Sequence, residues 1–157
     1  MMNKKKYLND QDIRKLLSNI IRECTNKNFI PNAIVAPSRG GLPLGVMLSH
    51  YYSCPMYSMT LSHRDTSLVD VLGIERALKD AWSHGDNTLF IDDINDSGRT
   101  IETVREIATN LPLACNLKIG VLLEKYSSKR SADFVGEYVN TEENDVWVVF
   151  PWENWWR

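Results

Sequence analysis

The sequence predicts an α/β fold in which a mostly parallel central sheet is flanked by helices. Short apolar runs, suited to buried strands, alternate along the chain with segments whose apolar residues recur at helical spacing. Strands that alternate with helices imply right-handed crossovers between parallel strands. The 157 residues and the apolar fraction of 43% are ordinary for a globular chain, so we expect one domain, 1–157.

The individual elements can be placed from the same patterns. Asn9 is suited to cap the first helix, whose apolar stripe runs from Ile13 to Cys24. The polar stretch 62–67 fits no element. Strands are expected at 32–36, 56–61, 88–91, 117–123, 133–139 and 146–150, and further helices at 42–50, 70–82 and 100–110.

Charge and cysteine content exclude several classes of protein. A net charge of −2 offers no basic field for nucleic acid, and no segment approaches the ~20 apolar residues of a membrane-spanning helix. The cysteines (Cys24, Cys54 and Cys115) lack the spacing of a zinc or redox motif. We therefore expect a cytoplasmic protein with reduced thiols and neither nucleic acid nor a membrane as partner.

A phosphate site is predicted after the third strand of this order. Residues 96–100 stand at the start of a helix, where free backbone N–H groups and the helix dipole favour an anion. Gly98 lets the backbone approach a ligand closely, and the hydroxyls of Ser97 and Thr100 can donate hydrogen bonds. These features together favour a bound phosphate group.

Two further acids precede this phosphate site directly. Asp92 and Asp93 follow an apolar strand and would repel a phosphate, so they should face hydroxyl groups, a cation or a proton donor. Helix capping by Asp96 and Ser97 would explain those two residues but not the acid pair. A phosphate beside a diol describes a ribose 5-phosphate.

The turn after the first of these strands is a second candidate site. It reads Ser38, Arg39, Gly40 and Gly41, in which the glycines permit a tight turn and the guanidinium can bind phosphate oxygens. A generic strand-to-helix turn explains this stretch equally well when it is taken alone. Ligands of parallel sheets bind at the carboxyl ends of the strands, and both this turn and the loop 92–100 belong to that edge.

Residues 89–100 resemble the phosphoribosyl-pyrophosphate signature of type I phosphoribosyltransferases: an apolar run, two acids, two variable residues, Asp, Ser or Thr, Gly, any residue and Thr. The turn at 38–41 is similar to the pyrophosphate loop of the purine members. The resemblance implies that Asp92 and Asp93 hold the ribose hydroxyls, with Mg²⁺ bridging those hydroxyls and the pyrophosphate. It also implies that 96–100 cradle the 5-phosphate and that Asp96 accepts the purine proton.

Arg99 departs from the family pattern, because that position is often small. It either adds a cation near the phosphate or faces solvent. Arg39 is expected to stabilise the departing pyrophosphate.

The segments near 125 and 146–153 resemble the base site of xanthine-guanine and hypoxanthine-guanine phosphoribosyltransferases. Taken alone, Lys125 is an ordinary lysine at the end of a strand, and Trp147 is an ordinary packing residue. The resemblance implies that Lys125 binds the 6-oxo group, that Trp147 covers the ring and that the backbone of Trp147 and Val148 meets the 2-position. Glu153 completes the Pro-Trp-acid stretch of a small base-binding hood.

The function implied is transfer of a phosphoribosyl group to hypoxanthine, guanine or xanthine by a homodimer or homotetramer. One rival is a regulator that binds nucleotide on the same fold without chemistry, against which Asp96, Arg39 and the base pocket argue. Another is an enzyme for adenine or a pyrimidine, which Lys125 and Trp147 argue against.

Overall fold

The computed structural model describes residues 4–61, 70–113, 115–140 and 146–157. The five strands of the main sheet are all parallel and are β2 (Ala33–Ser38), β3 (Met56–Thr60), β4 (Asn87–Asn95), β5 (Asn116–Lys125) and β6 (Phe134–Val139), in the spatial order β3-β2-β4-β5-β6. The helices are α1 (Asp10–Asn26), α2 (Leu42–Tyr52), α3 (Val71–Trp82) and α4 (Arg99–Asn110). The predicted α/β fold class is confirmed, while the predicted polar stretch 62–67 lies outside the described residues.

The helices cover both faces of the sheet. One core cluster contains buried residues of α1 and α2, and the other contains those of α3 and α4. Neighbouring strand residues alternate between the clusters: Leu89 and Ile91 belong to the first, and Phe90 belongs to the second. A strand buried on both faces explains why these segments read as continuous apolar runs in the sequence.

Helix starts follow local capping chemistry. The Asn9 side chain accepts a hydrogen bond from the backbone N–H of Asp12 at 2.9 Å, and the Asp12 carboxylate accepts one from the N–H of Asn9 at 2.8 Å. This reciprocal capping box confirms the predicted cap of α1. Asp70 caps α3 by accepting a hydrogen bond from the N–H of Gly73 at 2.9 Å.

The end of β4 differs from the predicted strand end, and the difference affects the site. The sequence predicts the third strand to end at Ile91, whereas β4 continues to Asn95. The extension pairs with β5, with Asp92 opposite Val121 and Asn95 opposite Glu124. The two acids therefore lie within a paired strand, and the irregular turn is shorter than the predicted loop 92–100.

The hood is a second, two-stranded sheet, and one of its strands was not predicted. β1 (Lys4–Tyr7) pairs in parallel with β7 (Val146–Val149), and the first core cluster holds Leu8 and Phe150 at the two strand ends. The side chains of β1 are all exposed, which explains why no apolar pattern marked it. Among the described residues, no helix has the length and apolarity needed to cross a bilayer.

Candidate active site

The two predicted loops meet at the carboxyl end of the sheet. Gly40 lies directly against the carboxylate of Asp93, since a Cβ added to Gly40 would clash with Asp93 Oδ2. A Cβ on Gly41 would stand 2.6 Å from the carbonyl oxygen of Ile91. Both glycines are therefore required by close approach, and they bring the 38–41 turn against the end of β4. Ser38 is the last residue of β2, Arg39 is exposed, and the peptide bond between them is cis.

The paired acids Asp92 and Asp93 occupy a half-buried position with backbone support. Asp92 Oδ1 accepts a hydrogen bond from the N–H of Asp93 at 2.9 Å, and Asp93 Oδ1 accepts one from the N–H of Ile94 at 2.7 Å. Burial raises the pKa of both carboxyls, and the charge of Asp93 raises that of Asp92 further. The site therefore favours a ligand that brings hydroxyl donors or positive charge to these oxygens.

The predicted phosphate turn has the required backbone. Gly98 has φ +88°, a left-handed conformation that favours glycine, and α4 begins at the next residue, Arg99. Ser97 and Arg99 are exposed and line a pocket of about 460 Å³, whereas Thr100 is half-buried in the first turn of α4. This pocket is lined by Asp96, Ser97, Arg99, Glu102, Ser127, Lys129 and Arg130. The pocket thus lies at the start of a helix, and its use as a phosphate cradle stays a prediction.

Sequence reasoning missed one wall of this pocket. Ser127, Lys129 and Arg130 belong to the segment between β5 and β6, which the sequence left without a role. The basic pair Lys129-Arg130, shortly after the end of a buried strand, was the available signal. Its meaning depends on β5 lying beside β4, which a single sequence does not reveal.

Asp96 and Lys125 form an ion pair at the mouth of the site. Lys125 Nζ lies 2.7 Å from Asp96 Oδ1, and the side chains are 22% and 63% exposed respectively. Asp96 follows the end of β4 and Lys125 ends the neighbouring β5. The residue that the resemblance implies as proton acceptor, Asp96, and the one that it implies for binding the 6-oxo group, Lys125, are thus brought into contact from positions 29 residues apart.

The hood supplies the remaining predicted residues. Trp147 pairs with Lys5 in the two-stranded sheet and keeps 43% of its surface exposed, and Val148 packs against the first core cluster. Glu153 Oε2 accepts a hydrogen bond from the N–H of Phe150 at 2.8 Å, which closes the turn after β7. Its charge contributes to the raised pKa of Asp93, so Glu153 lies on the acid side of the site.

The donor set can be compared with the needs of Mg²⁺. Within the described ranges, no three His, Cys, Asp or Glu side chains are grouped closely enough to hold a metal ion. Mg²⁺ nevertheless uses one or two carboxylates together with waters and substrate phosphates. The pair Asp92 and Asp93 fits that mode, in which the substrate carries most of the metal's ligands.

Comparison with known proteins agrees with this arrangement. The family described as the phosphoribosyl transferase domain matches residues 5–154. A xanthine-guanine phosphoribosyltransferase of Gluconobacter oxydans is 28% identical over 128 residues, which cover 76% of this chain and 67% of that protein. One from Roseobacter denitrificans is 27% identical over 128 residues, covering 77% and 68%.

Solved structures agree on the fold. A purine phosphoribosyltransferase from Pyrococcus horikoshii superposes with a TM-score of 0.68 at 24% identity, covering 95% of this chain and 94% of that one. A xanthine-guanine-hypoxanthine phosphoribosyltransferase from Helicobacter pylori gives 0.72 at 20% identity, covering 95% and 93%. The resemblance that the motifs indicated is confirmed, and the chain belongs to the phosphoribosyltransferase family.

Proposed function

We propose that this protein transfers the phosphoribosyl group of 5-phosphoribosyl-1-pyrophosphate to a 6-oxopurine, namely hypoxanthine, guanine or xanthine. The observation that carries the proposal is the contact of Lys125 Nζ with Asp96 Oδ1 at 2.7 Å, beside the phosphate turn. A 6-oxopurine presents a carbonyl acceptor and, at ring position 7, an N–H donor next to each other on one edge. An adjacent ammonium and carboxylate are complementary to that edge.

The phosphoribosyl half of the substrate would occupy the edge of the sheet. Residues 96–100, including Ser97, Gly98, Arg99 and Thr100, bind the 5-phosphate through backbone N–H groups and hydroxyls. Asp92 and Asp93 accept hydrogen bonds from the ribose hydroxyls. These bonds compensate for the lost solvation that raises the pKa of both carboxyls and, at Asp92, for the additional repulsion from Asp93.

The pyrophosphate would lie against the 38–41 turn. Ser38, Gly40 and Gly41 offer backbone and hydroxyl donors, and the exposed guanidinium of Arg39 binds the phosphate oxygens. Mg²⁺ would supply neutralising charge to the pyrophosphate from a position near Asp92 and Asp93, held through ribose hydroxyls or water.

The reaction breaks the bond between the anomeric carbon and the pyrophosphate oxygen and forms a bond to ring nitrogen 9 of the base. The Asp96 carboxylate accepts the proton from ring position 7, while Lys125 donates a hydrogen bond to the 6-oxo oxygen. Arg39 and the amides of its turn stabilise the pyrophosphate as it leaves with the bonding electron pair. Positive charge that develops on the ribose faces Asp92 and Asp93.

The hood would close over the base. Trp147 stacks on the purine ring, the backbone of Trp147 and Val148 meets the 2-position, and Glu153 completes the pocket on the acid side. The exposure of Trp147, 43%, supports this assignment, because a ring wholly buried in the core could not cover a ligand.

Assembly into a homodimer or homotetramer is part of the proposal. Val46, Met47 and Tyr51 are large exposed apolar residues on α2, and Trp155 and Trp156 are exposed as well, whereas Trp152 packs on the domain. Exposed apolar residues grouped on one helix support a subunit contact. Light scattering at micromolar concentration tests it, and a monomer would contradict it. The cytoplasmic location stays a prediction.

Turnover with radiolabelled phosphoribosyl pyrophosphate, Mg²⁺ and a panel of bases tests the function. We expect product with at least one of hypoxanthine, guanine and xanthine, and a kcat/KM for adenine at least about a hundredfold lower, because adenine presents an amine to Lys125 and leaves its charge unpaired. Comparable turnover of adenine would overturn the base assignment alone. Nucleotide binding without turnover of any base would support the regulator instead.

A further inference from the structure

A buried polar bridge lies beside the site. Asn95 is 4% exposed and Glu124 is 2% exposed, and Asn95 Nδ2 donates to Glu124 Oε2 at 3.0 Å. The two residues are register partners on β4 and β5. Each immediately precedes a member of the ion pair at the mouth of the site, Asp96 and Lys125 respectively.

The bridge also anchors the segment 126–132. The oxygen Glu124 Oε2 accepts a second hydrogen bond, from the N–H of Ala132 at 2.7 Å. Asn95 Nδ2 donates a second one to the carbonyl of Arg130 at 2.6 Å. The Ser128 hydroxyl donates to the same carbonyl at 3.0 Å. A buried pair with these bonds fixes the path of the segment, because breaking them would leave polar atoms unsatisfied.

The anchored segment packs on the phosphate turn. The N–H of Lys129 donates to the carbonyl of Ser97 at 3.4 Å. Gly98 lies against the backbone of Arg130, since a Cβ added there would stand 2.7 Å from Arg130 N. The turn is therefore enclosed on one side by α4 and on the other by this segment.

The charges in the pocket differ in whether they are already neutralised. The Arg130 guanidinium is paired with Glu102 at 3.0 Å. In the described part of the chain, no carboxylate forms an ion pair with Lys129. The two carboxylates that line the same pocket, Asp96 and Glu102, are paired with Lys125 and Arg130, so the Lys129 ammonium lies at the pocket outside the ion pairs of the described residues.

We propose that Lys129 binds the 5-phosphate from the side opposite α4, and that Asn95 and Glu124 are positioning residues that hold its segment in place. This inference rests on the proposed function, because it takes the 460 Å³ pocket as the phosphate site. It adds a ligand from outside the 96–100 turn. Glu124 acts through Lys129 and does not touch the substrate.

Titration calorimetry with ribose 5-phosphate tests both roles without requiring a base or turnover. Lys129→Met removes the ammonium from an exposed position and should weaken binding about tenfold, the loss of one charged hydrogen bond. Glu124→Leu should weaken binding to a similar extent by releasing the segment. Glu124→Gln should bind ribose 5-phosphate within about threefold of wild type. A single oxygen of Glu124 accepts both hydrogen bonds, and the glutamine side chain still has one oxygen that can accept them.

A double-mutant cycle separates positioning from a general loss of structure. If Glu124 acts through Lys129, the variant carrying Glu124→Leu and Lys129→Met binds no more weakly than the weaker single variant. Losses that multiply would overturn the positioning role. Glu23→Leu is the matched control, because Glu23 likewise accepts a backbone N–H, from Val135 at 3.2 Å, on a different part of the fold. Its affinity should equal that of wild type.

The outcomes also separate this inference from the proposed function. Unchanged affinity in Lys129→Met overturns the inference even if Glu124→Leu fails to fold. Weaker binding of ribose 5-phosphate by Lys129→Met, together with no turnover of any base by wild type, supports Lys129 as a phosphate ligand and overturns the proposed reaction. Normal turnover of a 6-oxopurine by wild type, together with unchanged ribose 5-phosphate affinity in Lys129→Met, supports the proposed reaction and overturns the role of Lys129 in phosphate binding.

Discussion

Two sets of carboxylates at the same sheet edge have opposite surroundings. Asp92 and Asp93 lie half-buried beside each other within β4, with Asp93 against Gly40, and burial raises the pKa of both. Asp96, three residues beyond Asp93, is 63% exposed and meets the ammonium of Lys125. Among the described residues, no cation forms an ion pair with Asp92 or Asp93, whereas Asp96 has the ammonium of Lys125 as its counter-charge.

The different surroundings of these carboxylates suit them to different functions. Acids that repel each other gain most from a ligand with hydroxyl groups and an accompanying cation, so Asp92 and Asp93 suit binding. A carboxylate at the surface with a neighbouring donor can exchange a proton with a ligand that displaces the neighbour, so Asp96 suits chemistry.

Asp96→Asn should have the largest effect. The amide keeps the shape and a hydrogen bond to Lys125 but cannot accept a proton, so kcat should fall by at least about a hundredfold, the usual worth of a general base. Affinity for phosphoribosyl pyrophosphate should change little. Steady-state kinetics and calorimetry measure the two quantities. Retention of more than about a tenth of wild-type kcat would rule out the general base.

Lys125→Met should act on the same side with a smaller effect. The loss of a charged hydrogen bond to the 6-oxo group should lower kcat/KM for hypoxanthine, guanine or xanthine by roughly tenfold to a hundredfold, with little gain for adenine. Initial rates with each base measure this. Lys118→Met is a control, since Lys118 pairs with Asp133 away from the site. An equal loss for every base would remove Lys125 from base recognition.

The replacement of Asp92 and Asp93 by alanine should leave the base side intact and weaken binding of phosphoribosyl pyrophosphate. The expected loss is about tenfold or more, because at least one charged hydrogen bond disappears, and its dependence on Mg²⁺ should decrease. Calorimetry with and without Mg²⁺ measures both effects. Unchanged affinity in the presence of Mg²⁺ would assign the pair to structure.

Features of the fold that depend on residues close together in the sequence could be predicted, and features that depend on distant residues could not. The cap at Asn9 and the turn at Gly98 depend on neighbours within a few residues, and both were predicted. The predicted end of β4 is too early because Asp92, Asp93 and Asn95 are polar and the pairing of this stretch with β5 is not local. β1 was missed because its exposed side chains carry no alternation.

The site shows the same limit. Family resemblance implied a role for Asp96 and a role for Lys125, but their contact was not predicted, since nothing in either residue's neighbourhood points to the other. Glu124 carries a signal of its own, because a charged residue that directly follows the apolar run of β5 must be either exposed or paired. It is buried, and its partners come from β4 and from the segment after β5.

The smallest expected effect is on stability, and it concerns the acid pair without ligand. Burial raises the folded-state pKa of Asp92 and Asp93 above the ordinary value of 3.8, so the folded protein holds these protons more strongly than the unfolded chain does. The resulting stability is fully present below that value and is lost as the pH rises through the folded-state pKa. The melting temperature of wild type should therefore fall over this window, whereas a variant with Asn at both positions should show a smaller fall.

Asp80→Asn, an exposed change on α3, is the control, and its melting temperature should follow that of wild type. Melting curves measured by circular dichroism from pH 4 upward, the lower limit set by the ordinary value near 3.8, give the comparison. Parallel curves for wild type and the double Asn variant would show that the two carboxylates are not strained by burial, and the contrast with Asp96 would then rest on the ion pair alone.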